Sequence, residues 1–138
     1  SLGTDTSLIC IDHIDVDLRK DYCLTLLNEG AWIEFDNCGK EFFMPQRDYG
    51  KIRGKFAYDM ERAEMIVKLF KLGFGNRILM TNDICLKTML ATYGGNGFMH
   101  IARTMIPMLK YLGMNEKDIY KLTVENPANF LDVANLKD

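Results

Sequence analysis

The stretch Arg77-Ile78-Leu79-Met80-Thr81-Asn82-Asp83 decides how this chain is read. An apolar, strand-like run ends in a carboxylate, and a glycine-rich loop, Tyr93-Gly94-Gly95-Asn96-Gly97, follows. A carboxylate at the exit of a buried strand is costly unless something pairs with it. The exits of parallel strands are also where α/β proteins place their chemistry. A second exit of this kind lies upstream, at Leu8-Ile9-Cys10-Ile11-Asp12-His13. A His and an Asp on two strand tips point to a metal site or part of one.

Working outward, the apolar and β-branched run at 8–13 predicts a first strand. Leu18, Tyr22, Leu26 and Leu27 predict a helix over 18–29, with Gly30 just past its end. Ala31-Trp32-Ile33-Glu34-Phe35-Asp36 reads as the second strand. Residues 37–56 read as a long loop carrying Gly39, Pro45, Gly50 and Gly54, a length usually associated with function. Met60, Ala63, Ile66, Val67 and Phe70 form the stripe of a helix over 57–72. The third strand is 77–82. A helix over 98–112 contains Pro107, an expected kink. Asn115 is the expected N-cap of a helix at 116–124, and Pro127 opens a last short helix at 127–131. Strands alternating with helices imply an α/β domain with a parallel sheet and right-handed crossovers. The 138 residues suffice for a single domain, 1–138.

Composition narrows the function classes. The chain is 48% hydrophobic and 26% charged, ordinary for a globular protein. A net charge of −2 and the absence of a basic run argue against nucleic acid as a partner. The apolar runs are too short to span a bilayer, so no membrane is expected. The first residues lack the pattern of a signal peptide. Cys10, Cys23, Cys38 and Cys85 have no CxxC spacing, so free thiols and a cytoplasmic location are expected.

Side chains on a strand alternate faces. Ile9, Ile11 and His13 would share one face, as would Glu34 with Asp36 and Leu79 with Thr81 and Asp83. If His13, Asp36 and Asp83 converge, an imidazole and two carboxylates offer suitable ligands for zinc or a similar divalent metal. Each has an ordinary reading too. His13 suits a hydrogen-bonded histidine, Asp83 a helix cap or loop anchor, and Asp36 and Glu34 the solvent face of an edge strand. Asp15 and Asp17 read as caps or first-turn charges. His100 reads as a helix-surface residue. Gly94-Gly95-Asn96-Gly97 is not a phosphate loop, because no Lys-Ser/Thr follows it, and reads as a flexible rim.

Ile78 through Cys85, with Tyr93-Gly94-Gly95-Asn96-Gly97-Phe98 through Ile106-Pro107, resembles the eighth-strand motif of the phosphotriesterase family in the amidohydrolase superfamily. Val124-Glu125-Asn126-Pro127-Ala128-Asn129-Phe130-Leu131 resembles that family's C-terminal ENPxxFL helix. Ile11-Asp12-His13-Ile14-Asp15 is similar to its sixth-strand Gly-His-x-Asp, and Trp32 through Asp36 to its seventh strand. The resemblance covers about residues 7–132.

It implies a TIM (β/α)8 barrel with a binuclear metal centre that hydrolyses phosphotriesters, lactones or related esters. It places a metal ligand on His13, and a metal ligand and catalytic proton acceptor on Asp83. A barrel needs roughly 250 residues. This chain therefore reads as the last three βα units, an incomplete barrel. The family's His-x-His of strand one, the bridging residue of strand four and the His of strand five have no counterpart. Asp12 stands where the family has Gly, and Asn37 where lactonase-type members carry Arg and phosphotriesterases His. Asn37, Cys85 and Tyr93 are the candidate substrate contacts for a small-molecule ester or lactone. With most metal ligands missing, little hydrolysis is expected from the chain alone. Open strand edges predict self-association or a need for the missing N-terminal half-barrel. The alternative is a non-catalytic α/β oligomerisation or interaction module descended from such a hydrolase.

Overall fold

Three short strands pair in parallel, in chain order, with β2 in the centre. A computed structural model of the chain describes residues 5–43 and 56–132. The strands are β1 (Cys10–Ile11), β2 (Trp32–Phe35) and β3 (Ile78–Met80). Register sets Ile11 beside Ile33 and Ile33 beside Ile78. Helices α1 (Lys20–Asn28) and α2 (Asp59–Lys71) are the crossovers. After β3, past 3₁₀ turns at Lys87–Met89 and Ala91–Tyr93, two longer helical stretches follow among the described residues. Ile101–Met105 is a π turn that runs into α3 (Ile106–Tyr111). α4 (Glu116–Tyr120) runs through a π turn at Lys121–Glu125 into α5 (Asn126–Leu131).

The core lies on one face of the sheet. Ile33, Phe35 and Ile78 are fully buried there, against Cys23 and Leu27 of α1, Ala63, Ile66 and Leu69 of α2, Leu109 of α3 and Ile119 of α4. The opposite face carries Cys10, Trp32, Glu34 and Leu79, and here the Thr81 hydroxyl donates to Glu34 at 3.0 Å. Trp32 is anchored by its indole N–H on the Ser7 carbonyl and by Phe130 of α5, ring centroids 5.4 Å apart.

The strands are shorter than the apolar runs suggest. β1 stops at Ile11, and Thr6–Leu8 forms a 3₁₀ turn capped by Asp5. His13 has φ 53° and Asp83 φ 40°, both in the left-handed region. Period-two alternation applies to extended backbone, so it does not carry from Ile11 to His13 or from Thr81 to Asp83. β2 is the central strand, so Glu34 and Asp36 do not belong to an edge.

The α2 stripe is rotated from the expected one: Met60 is exposed, while Asp59, Arg62 and Leu69 are buried. Asn115 caps α4 as expected, its side chain accepting from the Asp118 N–H at 2.9 Å. The helices expected at 116–124 and 127–131 are one continuous helix. A proline ring clashes with the carbonyl four residues back. A π turn before each proline absorbs the mismatch, with Ile106 N–H reaching Ile101 and Asn126 N–H reaching Lys121. The kink expected at Pro107 is thus a π turn. Of the long loop, residues 44–55 with Pro45, Gly50 and Gly54 lie outside the described residues. Its two ends meet where Phe56 N–H donates to the Phe42 carbonyl at 2.9 Å and the two rings pack edge to face.

Candidate functional site

β1, β2 and the start of α2 bring a chain of polar side chains to the C-terminal ends of the strands. His13 Nδ1 lies 2.6 Å from Asp36 Oδ2, and the His13 backbone N–H donates to Asp36 Oδ1 at 3.2 Å. The next residue, Asn37, donates from its amide to Asp36 Oδ1 and Asp15 Oδ1, both at 2.7 Å. Its backbone N–H donates to Asp15 Oδ2 at 3.0 Å. Arg62 Nε donates to the same oxygen at 2.8 Å, and its Nη1 to Asp59 Oδ1 at 2.9 Å. Asp59 Oδ2 in turn lies 2.6 Å from His100 Nε2.

Burial raises the stakes of each bond. Asp15 and Arg62 are wholly buried, and Asp36, Asn37, Asp59 and His100 nearly so. Removing one partner would leave a charge stranded in low dielectric. Burial, and after it the charge of Asp15, push the Asp36 carboxyl up to about 6, against the pull of His13. Asp15 is therefore an ion-pair partner inside the protein, not a cap; Asp17 is the exposed one, beside Arg19 at 3.3 Å. His100 is buried rather than on the helix surface. It packs against Gly39 (φ 88°), where a Cβ would come within 3.1 Å of the imidazole.

Asp83 belongs to a different contact. Its Oδ2 takes the ammonium of Lys40, a side chain only 6% exposed. Among the described residues, the donors close enough to share a metal ion are Asp12, His13 and Asp36, within 4.8 Å of one another. The structure thus brings His13 and Asp36 together and leaves Asp83 with Lys40. Asn37 sits inside the polar chain, 2% exposed. Cys85 is an exposed free thiol, and Tyr93 is exposed with Lys87 Nζ 4.5 Å from its ring centroid.

The loops after β2 and β3 enclose a cavity of about 300 Å³, lined by Cys38, Gly39, Phe42, Asn82, Met89 and Asn96 among others. Gly95, part of its lining, packs directly on Met89, where a Cβ would lie 2.3 Å from backbone. Asn82, next to Asp83, donates to the Gly97 carbonyl at 3.2 Å.

Lys40, Arg62 and the His100–Asp59 pair escaped the sequence reading. One signal was present for Arg62. Asp59 and Arg62 are three apart and fall on the same helical face as Ile66 and Leu69, and ions on an apolar stripe are paired or functional. Lys40 and His100 had no such local sign.

The sequence matches the phosphotriesterase family over residues 1–131. It is 33% identical over 132 residues to the N-acetyltaurine hydrolase of Dictyostelium discoideum, covering 95% of this chain and 35% of that protein. It is 29% identical over 128 residues to the phosphotriesterase homology protein of Escherichia coli, covering 93% of this chain and 39% of that one. The structure resembles a resiniferatoxin-binding protein from Rhodobacter sphaeroides (TM-score 0.84, 31% identity, 96% of this chain and 36% of that one). It also resembles the Escherichia coli phosphotriesterase homology protein with phosphate in its active site (TM-score 0.77, 28% identity, 93% and 40%). The chain spans little more than a third of the length of these relatives, and it belongs to the phosphotriesterase family.

Proposed function

We propose that this chain is the C-terminal portion of a metal-dependent hydrolase, an incomplete TIM barrel acting on ester, lactone or phosphotriester bonds, with little turnover by itself. The observation that carries this reading is the pair His13 and Asp83. They follow β1 and β3, at the positions where the family resemblance expects a His and an Asp, and both hold left-handed backbone. Such conformations cost roughly 1–3 kcal/mol each and cluster at functional sites.

The donors fit a divalent ion in kind. His13 offers an imidazole nitrogen and Asp12 a carboxylate oxygen nearby, with Asp36 backing the ring. They do not suffice for two ions, which need ligands from strands this chain lacks. A bound divalent ion supplies an acidified water as the attacking hydroxide. The chain's own part is to hold His13 through Asp36 and to take up a proton on the Asp83 carboxylate. For Asp83 to act as ligand and base, the Lys40 ammonium on Oδ2 must yield or share that oxygen.

Metal per chain, measured by elemental analysis alongside oligomeric mass, tests the reading, with His13→Ala and Asp83→Ala as controls. Esters, lactones and phosphotriesters are the substrates to assay. N-acetyltaurine joins them because several relatives, those from Dictyostelium discoideum and Bos taurus among them, are named for hydrolysing that amide. Metal near one or two per chain, lost in both variants, supports the hydrolase. No metal and no turnover in an associated protein overturns it. One observation favours the second reading, a non-catalytic α/β module that associates with itself or with a missing N-terminal half: the buried Lys40 ammonium pairs with the Asp83 carboxylate.

A further inference from the structure

A histidine presents one ring nitrogen dependably only when the other is engaged. His13 Nδ1 is engaged by Asp36 Oδ2 at 2.6 Å, and the His13 backbone N–H holds the other oxygen of the same carboxylate. The His13 side chain is 56% exposed, so the rest of its ring faces solvent. Asp36 is 7% exposed and cannot rely on water to fix its own orientation. Asn37 does this instead. An amide NH2 carries two donors, and here one goes to Asp36 and one to Asp15. Asp15 is immobilised in turn by Arg62, whose Nη2 also reaches the Lys40 carbonyl at 3.1 Å. The amide therefore separates two carboxylates that would otherwise face each other with water excluded. Both its N–H groups are spent, which leaves no donor on that amide for a substrate.

We propose that Asn37 is a positioning residue: it ties Asp36 to the fixed Asp15–Arg62 pair and so holds His13 as the Nδ1–H tautomer, with the Nε2 lone pair presented to the site. An ionised carboxylate only accepts, so the proton between the two groups sits on Nδ1. The five residues all lie between 13 and 62, and their bonds need no further strand. The tautomer stands on these contacts alone; its consequence for metal binding rests on His13 being a ligand, as proposed above.

The test is a long-range ¹H–¹⁵N correlation spectrum of the full chain labelled with ¹⁵N-histidine, at a pH about one unit above the ordinary histidine range. There are two histidines, and His13→Ala assigns them. The wild-type spectrum should show His13 with a protonated-type Nδ1 and an unprotonated-type Nε2. Asn37→Ala should shift His13 toward the averaged tautomers of free imidazole, and Asn37→Ser, which keeps one donor, should move it back. Zinc affinity should fall roughly 10- to 100-fold in Asn37→Ala. A wild-type His13 that is averaged, or protonated on Nε2, overturns the proposal without any variant. So does a folded Asn37→Ala, with His100 signals unchanged, whose His13 signals match wild type. If Asn37→Ala does not fold, the wild-type spectrum decides. The predicted tautomer in an associated chain that binds no divalent metal and shows no turnover would sink the hydrolase reading and leave this assignment intact.

Discussion

His13 and Asp83 are the described residues other than glycine with left-handed backbone, at φ 53° and 40°. His and Asp tolerate that region better than most side chains. Local tolerance and the contacts to Asp36 and Lys40 together explain how the turns persist. Asp36 gives the clearest pH prediction at this scale. Its carboxyl is raised from an ordinary 3.8 to about 6, so the folded chain holds the proton more tightly than the unfolded one. The associated stability is fully present below the unfolded value and is lost as pH rises through about 6. Urea unfolding between pH 4.5 and 7.5 should show this component falling by on the order of 2 kcal/mol, and Asp36→Asn should abolish it. Equal pH profiles for the two proteins would refute the assignment. The thiols supply a second residue-scale prediction. Burial pushes Cys10 up to about 12 and Cys23 up to about 11, and drives Cys38 higher still. Because the thiolate is the reactive form, these three should resist maleimide at mildly alkaline pH while exposed Cys85 labels quickly. Rapid labelling of more than one thiol per native chain contradicts this.

The elements show why a motif can be legible while its purpose is not. Asn126 stood out in the sequence only as part of Glu125-Asn126-Pro127. In the fold its amide donates to the carbonyls of Gly75 and Ile78, at 2.7 and 2.8 Å, and so pins α5 to the entry of β3. The π turn at Lys121–Glu125 and the proline after it set its place on the helix. Asn126→Ala should cost about 2–3 kcal/mol by leaving two acceptors unsatisfied. Asn126→Asp, nearly the same shape, should cost more at neutral pH, because it aims an acceptor at two acceptors. Thermal melts of both variants check the order; an Asp variant more stable than the Ala variant would be the contrary result. The helix periods of α1 and α2 were readable because apolar residues recur on a face. The rotation of α2 that buries Arg62 and exposes Met60 was not. It depends on Asp15, 47 residues away, as a partner.

For the whole molecule, the three-stranded sheet leaves β1 and β3 each with one side unpaired among the described residues. Edges of this kind seek another strand, and a closed barrel has none. Sedimentation should therefore give a mass above the 15.9 kDa of a single chain, or stability should rise sharply when the N-terminal part of a family barrel is added. A monodisperse monomer, unaffected by that addition, would end this expectation.

The sequence by itself determined the alternation of the three strands with helices, the family, and the two strand-exit residues His13 and Asp83. Those features are written in contiguous runs and short-range spacing, where the period of each element shows directly. Only the tertiary structure decided that His13 meets Asp36, that Asp83 meets Lys40, and that Asp15, Asp59, Arg62 and His100 share one buried network. Apart from Arg62 and Asp59, three apart on one helix, these bonded partners lie 23 to 47 residues from each other along the chain. They meet through sheet register and helix rotation, which follow from how the whole core packs and leave no periodic trace in the chain.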